Sequence, residues 1–257
     1  MSQYSIEKLK DKKVRNESGK FLVEGAKSIE ELLRSDLVID ELYGTDEYLN
    51  SLHTSLLDYK VRTKCPVKII STKDGEISKL GTLVTNDAGI AIARQRKQLD
   101  ELSLLQIAQN ALLIGLDDVR DPSNLGAIVR IADWFGVSNI IASQSTTDFY
   151  NPKCIAASVG SFTRVNISYL DLSDFMVLAS REKMIIRSAV LDGKDVADAS
   201  RAKSGILIMG SESHGISDKL LSFVTERLTI PRIGGAESLN VAVATGIILS
   251  SLLRTRD

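Results

Sequence analysis

The chain has 257 residues, of which 44% are hydrophobic and 25% charged, and its formal net charge is −1. That balance predicts a folded chain of one large or two smaller domains and argues against disorder. No apolar run approaches the ~20 residues of a membrane span and the first residues carry no apolar signal core, which excludes a membrane partner and predicts a cytoplasmic protein.

The first 17 residues read as a basic amphipathic helix, followed by a strand at 21–25 (FLVEG) and a helix from Lys27 to Arg34. Short apolar runs at 38–44, 67–70 and 89–94 complete a small α/β domain over residues 1–97. The polar stretch RQRKQLDELSLLQIAQ at 94–109 marks the boundary, with 98–106 as linker and a second domain at 107–257. From Ala111 strands alternate with helices (ALLIGLDD, NLGAIVRIADWFG, SNIIAS, MIIRSAVL, GILIMG, RLTIP), the pattern of a mostly parallel sheet covered on both faces. The fold class is therefore α/β.

Charge alone does not choose a partner. Residues 1–100 hold 17 Lys+Arg against 16 Asp+Glu and residues 101–257 hold 15 against 17, so a basic footprint for nucleic acid exists only locally. The clusters are Lys8, Lys10, Lys12, Lys13 and Arg15, then Lys60, Arg62, Lys64 and Lys68, then Arg94, Arg96 and Lys97. Cys65 and Cys154, with His53 and His214 as the only histidines, lack metal-ligand spacing; both thiols are expected to be buried and free, with no metal bound.

Three segments of the second domain share one design, an apolar strand that stops in a Gly/Pro/Ser-rich turn before a helix: LDDVRDPSNLGAIVRIADWFG (116–136), LIMGSESHGIS (207–217) and LTIPRIGGAESLNVAVATGI (228–247). Loops at the carboxyl ends of parallel strands are where α/β folds bind ligands, so the three are expected to form one pocket. In the first, Pro122 and Ser123 start a helix that ends at Gly136. Leu125, Ile128, Val129, Ala132 and Phe135 define its core face at helical spacing, which turns Arg130, Ala127 and Trp134 outward. In the second, Ser213 and His214 are adjacent but lack the glycine pattern of a nucleophile elbow, and Glu212 reads as a fixed acceptor in a glycine-bounded loop. In the third, Ser238 is expected to cap a long apolar helix, with Asn240 in its first turn.

These segments resemble the three motifs of the SpoU (TrmH-like) family of RNA ribose 2′-O-methyltransferases, in the SPOUT superfamily. The resemblance covers residues 111–257, and RNESGKFLVEGAKSIEELL is similar to a small ribosomal-protein-like substrate-binding domain. It implies a C-terminal trefoil knot, a homodimer built through the catalytic domain, S-adenosyl-L-methionine as cofactor and structured RNA as substrate. Ribosomal RNA is expected ahead of transfer RNA, and a catalytically silent RNA-binding or ribosome-assembly factor is the alternative. The catalytic residues it implies are Asn124, Arg130, Glu212, Ser238 and Asn240, and the cofactor contacts are Met209, Gly210, Ile230 and Leu239. Two positions depart from the family pattern, Ser213 for the usual glycine and Arg232 for the usual methionine.

Overall fold

The computed structural model of the chain describes residues 6–73, 75–82 and 88–253. They divide into two compact units, Met1–Lys97 with Asp148–Arg164, and Gln98–Thr147 with Val165–Asp257. In chain order the first unit contributes α1 (Lys12–Ser18), β1 (Lys20–Glu24), α2 (Ala26–Arg34), β2 (Ile39–Gly44), α3 (Asp46–Ser51), α4 (His53–Thr63), β3 (Lys68–Ser71), α5 (Glu76–Leu80) and β4 (Gly89–Arg94). The second opens with α6 (Glu101–Asn110), β5 (Leu112–Leu116), α7 (Pro122–Trp134) and β6 (Asn139–Ala142). After α8 (Pro152–Ser158), which belongs to the first unit, the second resumes with β7 (Asn166–Tyr169), α9 (Leu172–Arg181), β8 (Ile186–Asp195), β9 (Gly205–Met209), α10 (Asp218–Leu221), β10 (Glu226–Thr229) and α11 (Val241–Leu253).

The first unit is a four-stranded sheet in the order β1-β4-β2-β3, antiparallel except for the β2–β3 pair. Three features correct the sequence reading. The expected helix over 1–17 is broken at Asp11, whose Oδ1 accepts from Lys13 N at 2.6 Å and so starts α1 afresh; residues 1–5 of that stretch lie outside the described residues. Arg15, grouped with the exposed basic residues, is 2% exposed. Its Nε and Nη2 donate to Asp148 Oδ2 at 3.0 and 2.6 Å, and its Nη1 to the carbonyls of Leu9 and Lys10. Arg62, Arg94 and Arg96 are likewise engaged, with the Leu33 and Ser35 carbonyls, with Asp40, and with Asp36 and the Thr163 carbonyl. Arg96 holds the Asp36 carboxyl below its usual range, mainly through their hydrogen bond.

The third correction concerns the domain limits. Residues 148–164, read as part of the second domain, pack into the first unit: the fully buried Phe21 ring lies 4.5 Å from that of Tyr150 and 6.0 Å edge-on from that of Phe162. Residues 98–106 are not a linker. Gln98 Oε1 accepts from Tyr169 N and Leu99 N donates to Ser168 Oγ, tying them to β7, and α6 begins at Glu101 under the cap of Asp100. A chain ending at residue 97 would uncover Phe21 and leave Arg15 without its carboxylate. Such a fragment is expected to show no cooperative urea transition by circular dichroism; a sigmoidal transition would show that 148–164 is dispensable to this unit.

The second unit is a six-stranded sheet in the order β10-β8-β9-β5-β6-β7, and every pairing in it is parallel. Its two central strands are apolar along their length, as strands covered on both faces require: β5 and β9 are buried at every residue. Successive strands β5, β6 and β7 advance in one direction, whereas β9 returns to lie against β5 with Leu116 opposite Met209. That reversal places the loops after β5 and β9 side by side at their carboxyl ends, the position at which open parallel sheets receive ligands. Cys154 is buried and burial pushes its thiol up, while Cys65 is only half-buried, contrary to expectation. No helix among the described residues is long and apolar enough to cross a membrane.

Candidate active site

Helix α7 forms because Asp121 caps it, Pro122 occupies its first turn and five residues of one face are apolar or small. Asp121 Oδ1 accepts from Ser123 N at 2.8 Å and Asn124 N at 2.9 Å, so the cap is Asp121 rather than Ser123. Leu125, Ile128, Val129 and Ala132 are fully buried, while Phe135 lies just past the helix and is half-buried. Gly136 at φ 74° takes the left-handed position that ends the helix. Burying each large apolar side chain contributes about 1.5–3 kcal/mol, enough to hold the helix with Arg130 and Trp134 outward. Arg130 is exposed and has no hydrogen-bond or ion-pair partner among the described residues; Trp134 is 84% exposed.

The loop after β9 is a small closed ring. Ser211 and Gly215 exchange backbone hydrogen bonds at 3.0 Å, and Ser211 Oγ accepts from His214 N. Gly210 is required sterically: a Cβ there would lie 2.2 Å from the Gly215 carbonyl carbon and 2.5 Å from Ile216 N. The base of the loop is tied to the end of β5, since Asp117 Oδ2 accepts from Ser217 N at 2.8 Å and Asp117 N donates to the Met209 carbonyl at 2.9 Å.

The three motifs converge on one oxygen. Glu212 Oε1 accepts from Asn124 Nδ2 at 2.9 Å, from Asn240 Nδ2 at 2.8 Å and from Val241 N at 3.4 Å. Asn240 Nδ2 also reaches Asn124 Oδ1 at 2.9 Å, closing a triangle of two amides and a carboxylate. Asn240 Oδ1 in turn accepts from Ala242 N at 3.0 Å and Val243 N at 3.3 Å. Asn240 is therefore the cap of α11, and Ser238, expected in that role, is exposed two residues earlier with no hydrogen-bond partner among the described residues. The helix begins later because the Asn240 side chain can satisfy two of its free N–H groups while its amide nitrogen binds Glu212.

Beside this joint opens a cleft of about 600 Å³. Met209, Gly210, Ile230 and Leu239, the four expected cofactor contacts, all line it, as do Glu212 and Ser238. One wall comes from β8, whose register against β10 jumps between Arg227 and Leu228 so that residues 189–192 bow into the cleft. Arg227 pins the bow through a 2.8 Å ion pair with Asp192. The structure thus brings together Asn124, Glu212 and Asn240, sets Ser238 on the cleft and leaves Arg130 on a separate face of α7. Sequence reasoning missed Asp117, whose partner lies 100 residues away, and Asp121, which the Asp-Pro pair at a helix start could have revealed. It also missed Asp118, a non-glycine residue at φ 59° whose carboxyl Arg120 holds below its usual range through a 2.8 Å hydrogen bond.

Comparison with known proteins gives the same outline. The MRM3-like substrate binding domain matches residues 4–91. The chain is 28% identical over 248 residues to the 23S rRNA (guanosine(2553)-2′-O)-methyltransferase RlmP of Bacillus subtilis, covering 95% of this chain and 93% of that protein. It is 34% identical over 177 residues to the 23S rRNA (guanosine-2′-O-)-methyltransferase RlmB of Photobacterium profundum, covering 65% of this chain and 71% of that one. The AdoMet-bound rRNA methyltransferase from Sinorhizobium meliloti has a TM-score of 0.82 at 29% identity, with 96% of this chain and 92% of that chain covered. The profile of the SpoU rRNA Methylase family matches residues 111–250, which hold both motif loops that line the cleft and the α7 turn joined to them at Glu212, and with more than half of its length so matched the chain belongs to that family.

Proposed function

We propose that the cleft holds S-adenosyl-L-methionine and that the protein methylates a ribose 2′-hydroxyl of structured RNA, ribosomal RNA in the first place. The observation that carries this reading is the Asn124–Glu212–Asn240 joint, which gathers three separate loops at the mouth of one apolar cleft. The residues fit the cofactor: the cleft has the volume of a small-molecule site, and Val190, Leu228, Ile230 and Leu239 offer apolar walls for a purine. When bound, the cofactor supplies an activated methyl group on a sulfonium sulfur.

The chain's own task is then to position, desolvate and stabilise charge. Glu212 fixes the amides of Asn124 and Asn240, and Ser238, two residues before Asn240 on the cleft, can present its hydroxyl to a ribose. Arg130 orients the substrate phosphate and stabilises negative charge growing on the 2′-oxygen. A guanidinium donates hydrogen bonds and offers no acceptor, so the 2′-proton leaves through the substrate phosphate to water. Arg130 has no partner among the described residues, and Trp134 on α7 and Val243 and Ile247 on α11 are exposed apolar side chains. This supports a homodimer in which Arg130 serves the partner's cleft. The C-terminal knot is carried over from the family resemblance; α11 packs on α7, and its Leu252 carbonyl accepts from Ala202 N. The first unit is assigned to RNA binding, through Lys8, Lys12 and Lys60 rather than Arg15, and the enzyme to the cytoplasm on the strength of its substrate.

Isothermal titration is expected to show S-adenosyl-L-methionine binding to the wild type and none to Gly210→Val, because a branched side chain at that point must displace the Gly215 backbone. Folded wild-type protein that binds no cofactor would eliminate the enzyme reading. Digestion of treated ribosomal RNA to nucleosides should then yield 2′-O-methylated ribose; a methylated base would reassign the acceptor.

A further inference from the structure

The 210–217 loop forms one wall of the cleft, yet little packing holds it. Residues 212–215 are all exposed, and Ile216, 6% exposed, is its one buried apolar anchor. The internal Ser211–Gly215 bonds give the ring its shape without fixing its direction relative to the sheet. Direction comes from two carboxylates at opposite ends. Glu212 holds the tip against Asn124 and Asn240, and Asp117 holds the base through the 2.8 Å bond to Ser217 N. Asp117 directly follows β5 and Asn124 lies in the first turn of α7, so one short stretch of chain grips the loop at both ends. Asp117 does not line the cleft.

We infer that Asp117 is a positioning residue for cofactor binding, acting through the Ser217 N–H to hold the 210–217 loop in its binding arrangement; this rests on the reading of the cleft as the S-adenosyl-L-methionine site. The bond restrains an exposed loop and not the core, so its loss should appear in ligand affinity and not in the stability of the fold. A charged acceptor on a backbone N–H is worth more than a neutral one, but an amide oxygen in the same place can still accept.

The test uses the full chain and S-adenosyl-L-methionine as probe, by isothermal titration and by steady-state methylation. Asp117→Ala is expected to raise Kd and the cofactor KM about tenfold, with kcat changed less than about twofold. Asp117→Asn should rescue most of the affinity. Ser217→Pro removes the donor alone, and φ −62° at that position already suits proline; it should reproduce the loss. The double variant should lose about tenfold and not a hundredfold, since both changes delete one bond. Wild-type affinity in Asp117→Ala, or independent losses that multiply in the double variant, would overturn the role of Asp117. Should Asp117→Ala not fold, Ser217→Pro decides, with unchanged affinity counting against the inference. Absence of binding by the wild type would instead defeat the cofactor reading itself, so the two failures are distinct.

Discussion

Arg130→Ala is expected to lower methyl transfer by about a hundredfold or more while leaving the titrated affinity for S-adenosyl-L-methionine within about twofold. The side chain is outside the cleft lining and bonds to nothing among the described residues, so its removal should touch neither the fold nor the cofactor wall. The cost falls on the transition state, where charge on the 2′-oxygen and the substrate phosphate would lose a charge-assisted donor. Mixing supplies a sharper form of the experiment. If the proposed homodimer forms, Arg130→Ala and Asn124→Ala subunits, each inactive alone, should recover about a quarter of wild-type activity after random re-pairing, because half the dimers would be mixed and each would hold one intact site. Recovery requires that Arg130 act on the partner's cleft. Activity of Arg130→Ala near wild type would remove the residue from the chemistry, and a folded but inactive mixture would place it in its own subunit's site.

Arg15→Met is expected to destabilise the first unit by about 3–5 kcal/mol, read as a fall in the urea midpoint, because it strands the Asp148 carboxylate in a buried setting. Two further acceptors, the Leu9 and Lys10 carbonyls, lose their donor at the same time. Replacing the pair together, Arg15→Met with Asp148→Leu, should return much of the loss, since no uncompensated charge then remains. Lys12→Ala, on the same helix but exposed, should leave the midpoint unchanged. A single Arg15 variant as stable as the wild type would show that water reaches Asp148, and the basic residue could then return to the list of phosphate contacts.

Arg15 also shows where sequence legibility ended. Its spacing within a run of lysines carries no sign of burial, and its partner lies 133 positions away. The parallel sheet was legible because strands such as Leu112–Leu116 are apolar on both faces and alternate with helices whose apolar residues recur at 3.6-residue spacing. Which core a segment fills is not a periodic property. Phe149, Tyr150 and Phe162 look like any aromatic residues between strands, yet they complete the first unit. At the site, the family resemblance put forward Asn124, Glu212 and Asn240 as candidates, while the fact that all three meet at Glu212 Oε1 required coordinates. Ser238 and Asn240 are both good helix caps, and what separates them is the bond from Asn240 to Glu212, which no local pattern announces.

The placement of residues 148–164 in the first unit has a consequence during synthesis. A ribosome that has just completed residue 97 must add 67 more before Tyr150 and Phe162 are both available and the unit's last residue, Arg164, is made. At about 5–20 residues per second that interval is roughly 3–13 s. Throughout it β1 has no cover for Phe21 and no counter-charge for Arg15, so the amino-terminal sheet cannot finish folding in order of its emergence. The first unit therefore closes only once Arg164 has been made, and until then the nascent chain carries an uncovered aromatic face.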